Sequence, residues 1–111
     1  MLGLETALSI VQKTMIDSGM MSWEQVAERM SLTPARIGRY ADQGQQLAKG
    51  AFANLVVINP TKSWRVDRDL VLSNSSNTPY HGHELPGVVE HTFFKGKQTV
   101  INGEVISKGA K

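Results

Sequence analysis

The sequence predicts an α+β fold: three N-terminal helices followed by a small, mostly antiparallel β unit of about four strands. Three observations carry this reading. Apolar residues recur with helical spacing up to about residue 50 and in short continuous or alternating runs after it. Good helix-capping residues stand at the head of the second and third helical patterns. An Asn-Gly pair near the C-terminal end marks a two-residue hairpin turn. The change of period divides the chain into a helical segment, 1–50, and a β subdomain, 51–111.

Leu4, Ala7, Leu8, Val11 and Met15 follow i, i+3, i+4, i+7 spacing, one face of an amphipathic helix. Gly19 is its stop. Ser22 with Gln25 three residues later forms a capping box, so a second helix starts near Trp23 and buries Trp23, Val26, Ala27 and Met30. Thr33 is a good N-cap, and Pro34 suits the first helical position, where an N–H has no partner to lose. The third helix carries Ala35, Ile37 and Tyr40 toward the core. Gly44 and Gly50 mark loops.

"ANLVVINP", Ala53 to Pro60, is a continuous apolar run ended by Asn-Pro, which predicts a strand covered on both faces. "SNSSNTPYHGHELPG", Ser73 to Gly87, is polar with two Pro and two Gly and reads as a long loop. Val88 to Ile106 reads as three strands. The first turn falls near Gly96-Lys97 and the second at Asn102-Gly103, where both central residues need positive φ.

Composition narrows the function classes. The 111 residues include 41% apolar and 20% charged side chains, as in a globular domain. Lys and Arg total 12 against 10 Asp and Glu, a net charge of +2, and no run of like charge follows a phosphate backbone. Aromatic residues are too sparse for a base-stacking platform. Cysteine is absent, which excludes disulfides and thiolate metal sites and fits a reducing, cytoplasmic setting. Met1–Met15 has no basic n-region, and no apolar run approaches the ~20 residues of a membrane span. Nucleic-acid and membrane partners are therefore not expected.

Two motifs invite sharper readings. Trp23 to Tyr40 has the outline of a helix-turn-helix, with Arg36 and Arg39 on the would-be recognition helix; the same arginines equally fit a solvated face. His81 and His83 form a His-x-His pair. A hydrolytic zinc site needs about three protein ligands and an open position. Glu84, Glu90 and His91 complete a drawable set, but the pair lies in a Pro/Gly-rich loop around Gly82 and beside Tyr80, with no rigid strand end to aim the rings. No G-x-S-x-G elbow and no P-loop spacing occur; "GQQLAKG" lacks it.

Four stretches in order carry a family resemblance: "LGLETALSIV" (Leu2 to Val11), "MSLTPARIGRYADQGQQLAKGAFANLVVINP" (Met30 to Pro60), "WRVD" (Trp64 to Asp67) and "SNSSNTPYHGHELPGVVEHTFFKGKQTVINGEV" (Ser73 to Val105). Together they resemble the C-terminal quarter of a bacterial dihydroorotase of the amidohydrolase superfamily. The second stretch carries the superfamily pattern; "GLETAL" and "NTPY" with "LPG" narrow it to dihydroorotase. Asn54 departs from the pattern, standing where the superfamily usually has Asp at a bridging position.

The resemblance implies a (β/α)8 barrel beside a small β domain, with this chain supplying the barrel's last helix, the linking helices and C-terminal strands. It implies that the two-metal zinc centre and the catalytic aspartate lie upstream of "GLETAL". No catalytic, substrate-binding or metal residue is thus expected here: His81 and His83 fall at variable loop positions, and Asp17, Asp42, Asp67 and Asp69 fall in scaffold. It further implies that Leu4, Leu8, Val11 and Met15 pack on a barrel and that Leu55–Ile58 and Val89–Phe94 leave a sheet edge open. The expected partners are a second copy or the barrel portion of a dihydroorotase.

Overall fold

A computed structural model describes residues 1–106. It contains two continuous helical stretches, 7–16 and 23–38, and a four-stranded sheet in the order β1-β2-β3-β4. The strands are β1 (Leu55–Arg65), β2 (Glu84–Phe94), β3 (Lys97–Ile101) and β4 (Glu104–Val105). The α+β class holds. The chain forms two compact units, Met1–Met20 with Asn59–Val88 and Met21–Ile58 with Val89–Lys111, each combining one helical stretch with parts of β1 and β2. No helix among the described residues is long and apolar enough to cross a membrane.

In the first unit, α1 (Ala7–Val11) runs directly into a π-helical segment, Gln12–Ile16, closed by Asp17 N–H on the Gln12 carbonyl at 2.8 Å. The stop expected at Gly19 is present, with φ +82°. The face turned inward is polar: Thr6, Ser9 and Gln12 are buried, while Leu4 is 93% exposed, Met15 36% exposed, and Leu8 and Val11 half-buried.

The inward side chains meet backbone. Ser9 Oγ donates to the Gly87 carbonyl at 3.0 Å and accepts from Trp64 Nε1 at 2.9 Å. Gln12 Nε2 donates to the Pro60 carbonyl at 2.9 Å. Gly87, at φ +85°, lets the Gln12 amide lie against its Cα, since a Cβ there would collide with Oε1. Gln12 Oε1 is buried with no hydrogen-bond partner among the described residues. Val66 and Leu85, each 1% exposed, are the apolar core of this unit.

In the second unit, the Ser22–Gln25 capping box forms as the spacing predicts: Gln25 N–H donates to Ser22 Oγ at 3.2 Å, and Ser22 N–H to Gln25 Oε1 at 2.9 Å. α2 (Trp23–Ala27) then continues through a π-helical segment, Glu28–Leu32, into α3 (Thr33–Gly38). The predicted second and third helices are thus one uninterrupted stretch. Thr33 is not a cap; its φ −64° and ψ −46° are helical, and its N–H reaches back five residues to the Glu28 carbonyl. Pro34 explains this. It has no N–H, and its ring opposes the carbonyl four residues back, so the chain widens by one residue rather than breaking.

The stretch ends at Arg39, which is left-handed at φ 58°. Gly44, at φ +67°, then brings the chain back, with room for only a hydrogen against Ala35 Cβ. Val26 and Ala35 are buried, Trp23 is half-buried, and Ala27, Met30, Ile37 and Tyr40 are exposed. Ala35 and Ile37 lie about 200° apart on a helix, so only one of them can face inward. The widened turn carries Met30 out of the 3.6-residue phase that predicts its burial.

The strand reading needs correction in both β1 and β2. β1 does not stop at Asn59-Pro60 but continues to Arg65, and Val56 and Val57 are 46% and 40% exposed rather than covered. β2 begins at Glu84, inside the stretch read as loop, and Val89–Phe94 is not an open edge: it pairs with β3, Thr92 opposite Val100 and Phe94 opposite Lys97. The edge strands are β1 and β4. Both hairpin turns form, at Lys95-Gly96 (φ 50° and 80°), one residue ahead of the predicted place, and at Asn102-Gly103 (φ 50° and 81°) as predicted.

The Gly87 contact gives a test. Gly87→Ala combines a left-handed φ with a collision against a buried amide and should cost about 2–4 kcal/mol in urea unfolding. Gly19→Ala, with the same sign of φ but nothing within 4 Å, should cost about 1–2 kcal/mol. Equal losses at the two sites would show that Gln12 does not rest on Gly87.

Candidate functional site

The residues singled out for chemistry occupy structural posts. The connection between β1 and β2 closes on two backbone bonds, Val66 N–H to the His83 carbonyl at 2.9 Å and Gly82 N–H to the Val66 carbonyl at 2.8 Å. His81 and His83 flank this closure and are exposed. His81 Nδ1 accepts from Arg68 N–H at 3.0 Å, and the His83 ring meets Tyr80 edge-on at 6.1 Å. Glu84, the drawable third ligand, faces β1 instead: Ser63 Oγ donates to its Oε1 at 2.8 Å, and Arg65 stands 4.0 Å from its Oε2. Arg65 Nη1 also donates to the Gly82 carbonyl at 2.7 Å.

His91 lies on β2 in the second unit. Its Nδ1 accepts from Asn102 N–H at 3.4 Å and lies 3.0 Å from Gln98 Nε2. Among the described residues no group of three or more His, Cys, Asp or Glu is placed to hold a metal ion. The side chains present do not fit the zinc centre that the resemblance implies for the whole enzyme.

The carboxylates serve the backbone or an ion pair. Asp67 Oδ1 accepts from Asp69 N–H at 2.9 Å, and Asp42 stands 3.4 Å from Lys95 Nζ. Glu5 Oε1 accepts from Leu72 N–H at 2.9 Å and Ser73 N–H at 3.3 Å. Glu5 borders a cleft of about 160 Å³ lined by Leu2, Leu4, Thr6, Val71 and Thr78, a mostly apolar seam where the chain start packs on the 71–78 segment. The seam offers no nucleophile paired with a base.

Asn54 makes three polar contacts in the second unit. Its Nδ2 donates to the Asp42 carbonyl at 2.7 Å and lies 3.4 Å from Gln45 Oε1; its Oδ1 accepts from Lys95 N–H at 2.7 Å. Gly96 N–H adds a bond to the Ala53 carbonyl at 3.0 Å. Asn54 therefore ties the 42–45 loop to the β2–β3 turn, the bridging role expected for this position. Sequence reasoning passes over Ser9, Gln12 and Trp64; the one signal for Ser9 and Gln12 is their i, i+3 spacing opposite the apolar stripe, and Trp64 on β1 carries none.

The helix-turn-helix reading is corrected by the absent turn: Arg36 and Arg39 are exposed at the end of a single helical stretch.

Asn54→Asp would place a carboxylate oxygen against the Asp42 carbonyl and lose both donor contacts. A loss of about 1–3 kcal/mol is expected in denaturant unfolding, with Asn54→Ala similar or worse. An unchanged midpoint for Asn54→Asp would show that the Nδ2 contacts contribute nothing.

No protein-family model matches the chain. Curated relatives do. It is 47% identical over 105 residues to a dihydroorotase of Streptomyces coelicolor, covering 95% of this chain and 24% of that protein. It is 44% identical over 105 residues to a dihydroorotase of Mycobacterium tuberculosis, at the same coverage, and 48% over 99 residues to one of Mycobacterium leprae. The chain thus spans about a quarter of the length of the relatives it matches. Among solved structures it is similar to an L-hydantoinase of Arthrobacter aurescens, with TM-score 0.84 and 29% identity over 96% of this chain and 24% of that one. A D-hydantoinase at TM-score 0.81 and 23% identity shares the fold. This similarity identifies the chain as a C-terminal segment of the bacterial dihydroorotase family, within the amidohydrolases.

Proposed function

We propose that this chain is the C-terminal framework of a dihydroorotase-like enzyme, inactive alone and completed by a barrel portion. The whole enzyme would interconvert dihydroorotate and carbamoyl-aspartate in de novo pyrimidine biosynthesis, in the cytoplasm. Its zinc ions and acid/base aspartate would come from the barrel portion, and no step of the chemistry is routed through residues of this chain.

The observation that carries the reading is the reversed amphipathicity of helical stretch 7–16. Its polar side is spent on the chain's own backbone, while on its apolar side Met15 is exposed and Leu8 and Val11 are only half-buried, with Leu4 exposed just ahead of it. Covering a large apolar side chain contributes about 1.5–3 kcal/mol, so a helix built this way gains by meeting a second apolar surface. The open β1 edge, with Val56 and Val57 exposed, supports the same reading.

The test is complementation. The chain is mixed with a polypeptide comprising the remaining N-terminal three-quarters of the Streptomyces coelicolor relative, and dihydroorotate hydrolysis is followed with zinc present. The chain alone should show no turnover above background and should self-associate at high concentration by light scattering. The mixture should co-purify and turn over substrate. Leu8→Glu should weaken the association at least ~10-fold while leaving the circular dichroism of the chain unchanged. Turnover by the chain alone, or clean monomers that ignore the barrel portion, would overturn the proposal.

A further inference from the structure

The Asn102-Gly103 turn has a chemical liability as well as a structural role, and the two are opposed. An asparagine followed by glycine is open to attack on its side-chain carbonyl carbon by the next backbone nitrogen, because glycine presents no side chain to obstruct the approach. Here both residues are exposed at a hairpin tip. The nitrogen that must attack is held, however: Gly103 N–H donates to the Glu90 carbonyl at 2.9 Å. The asparagine is held too, with φ 50° and its own N–H directed at His91 Nδ1. A nitrogen engaged as a donor to a neighbouring strand cannot lose its proton and swing toward the Asn102 side chain without opening the turn.

We infer that Asn102 is a self-modification site gated by folding of β2, β3 and β4. When the Gly103–Glu90 bond opens, Gly103 N gives up its proton and bonds to Asn102 Cγ; the Cγ–Nδ2 bond breaks and ammonia leaves. Water then adds to either carbonyl of the succinimide, giving aspartate or isoaspartate. Isoaspartate puts an extra carbon into the main chain of a two-residue turn whose register has Val100 opposite Val105 and Ile101 opposite Glu104. A chain that takes the isoaspartate branch cannot re-form that register and loses β4 from the sheet, whereas the aspartate branch keeps the main chain unchanged. The gate rests on the second unit's own geometry and is independent of the enzyme reading.

The chain supplies its own clock for the test. Cleavage after Lys97 and Lys108 yields peptide 98–108, in which Asn102 is the one asparagine, and the peptide ending at Lys95 carries Asn74 and Asn77 from the exposed stretch 72–77. The full 111-residue chain is incubated in mildly alkaline buffer with and without urea. Conversion at each asparagine is read by mass spectrometry, and isoaspartate is resolved by chromatography. Asn102 should convert at least ~10-fold more slowly in buffer than in urea, the ratio reporting local opening. Asn74 should change far less between the two conditions. His91→Ala, which frees Asn102 N–H, should speed Asn102 conversion in buffer and leave the urea rate unchanged. Equal Asn102 rates with and without urea would overturn the gate; urea conversion confined to Asn74 or Asn77 would overturn the site.

Discussion

Ser9 Oγ, accepting from Trp64 Nε1 and donating to the Gly87 carbonyl, is the interaction on which the first unit depends. A strand containing Pro60 lacks one ladder donor, and β2 contains Gly87 at φ +85°. Carbonyls at such places need partners, because leaving one buried and unmade costs about 1–3 kcal/mol. Ser9 and Gln12, three residues apart on one helical face, supply them at Gly87 and Pro60. Once that face is committed, the geometry of a helix leaves the apolar residues on the other side. The outward stripe is therefore a consequence of satisfying the backbone and not a packing failure.

The second unit is organised around an amide rather than a hydroxyl. Asn54 donates to one loop and accepts from another, which an aspartate cannot do. The superfamily pattern invoked by resemblance has Asp here, a group with acceptors only. In this chain the Asp42 carbonyl points at position 54, so a donor is required, and the Lys95–Asp42 ion pair lies beside the same contact. With side chains 51% and 41% exposed, that pair contributes little by itself. The departure from the pattern is thus a local exchange of charge for a hydrogen-bond donor, with the bridge preserved.

What was legible in the sequence was local. The Ser22–Gln25 capping box, the Gly19 stop and the Asn102-Gly103 turn depend on a few consecutive residues, and each forms as read. What was not legible depended on groups distant in the chain. The apolar period of residues 4–15 located a helix but not which face the chain itself would bury, since Pro60, Trp64 and Gly87 decide that from far away. Thr33-Pro34 has the signature of a helix start, yet the helix was already running; a proline tolerated through an i→i+5 turn looks, in sequence, like a new beginning. The His81 and His83 pair had ligand spacing without ligand support, and the structure engages His81 Nδ1 with a backbone N–H.

The buried apolar side chains among the described residues are Val26, Ala35, Val66 and Leu85, while Leu4, Ile37, Leu47, Leu70 and Phe52 are more than half exposed. A free-standing domain of about a hundred residues buries roughly two-thirds of its unfolded surface to offset chain entropy. Four small or medium side chains are a thin core by that measure, and two polar nodes cannot replace it, since a net hydrogen bond contributes only about 0.5–1.5 kcal/mol. The polar contacts therefore act mainly to specify geometry, and the apolar surface left outside is where further stabilisation has to come from. On the framework reading these are one arrangement: the segment fixes its own shape with hydrogen bonds and takes its stability from the surface it covers.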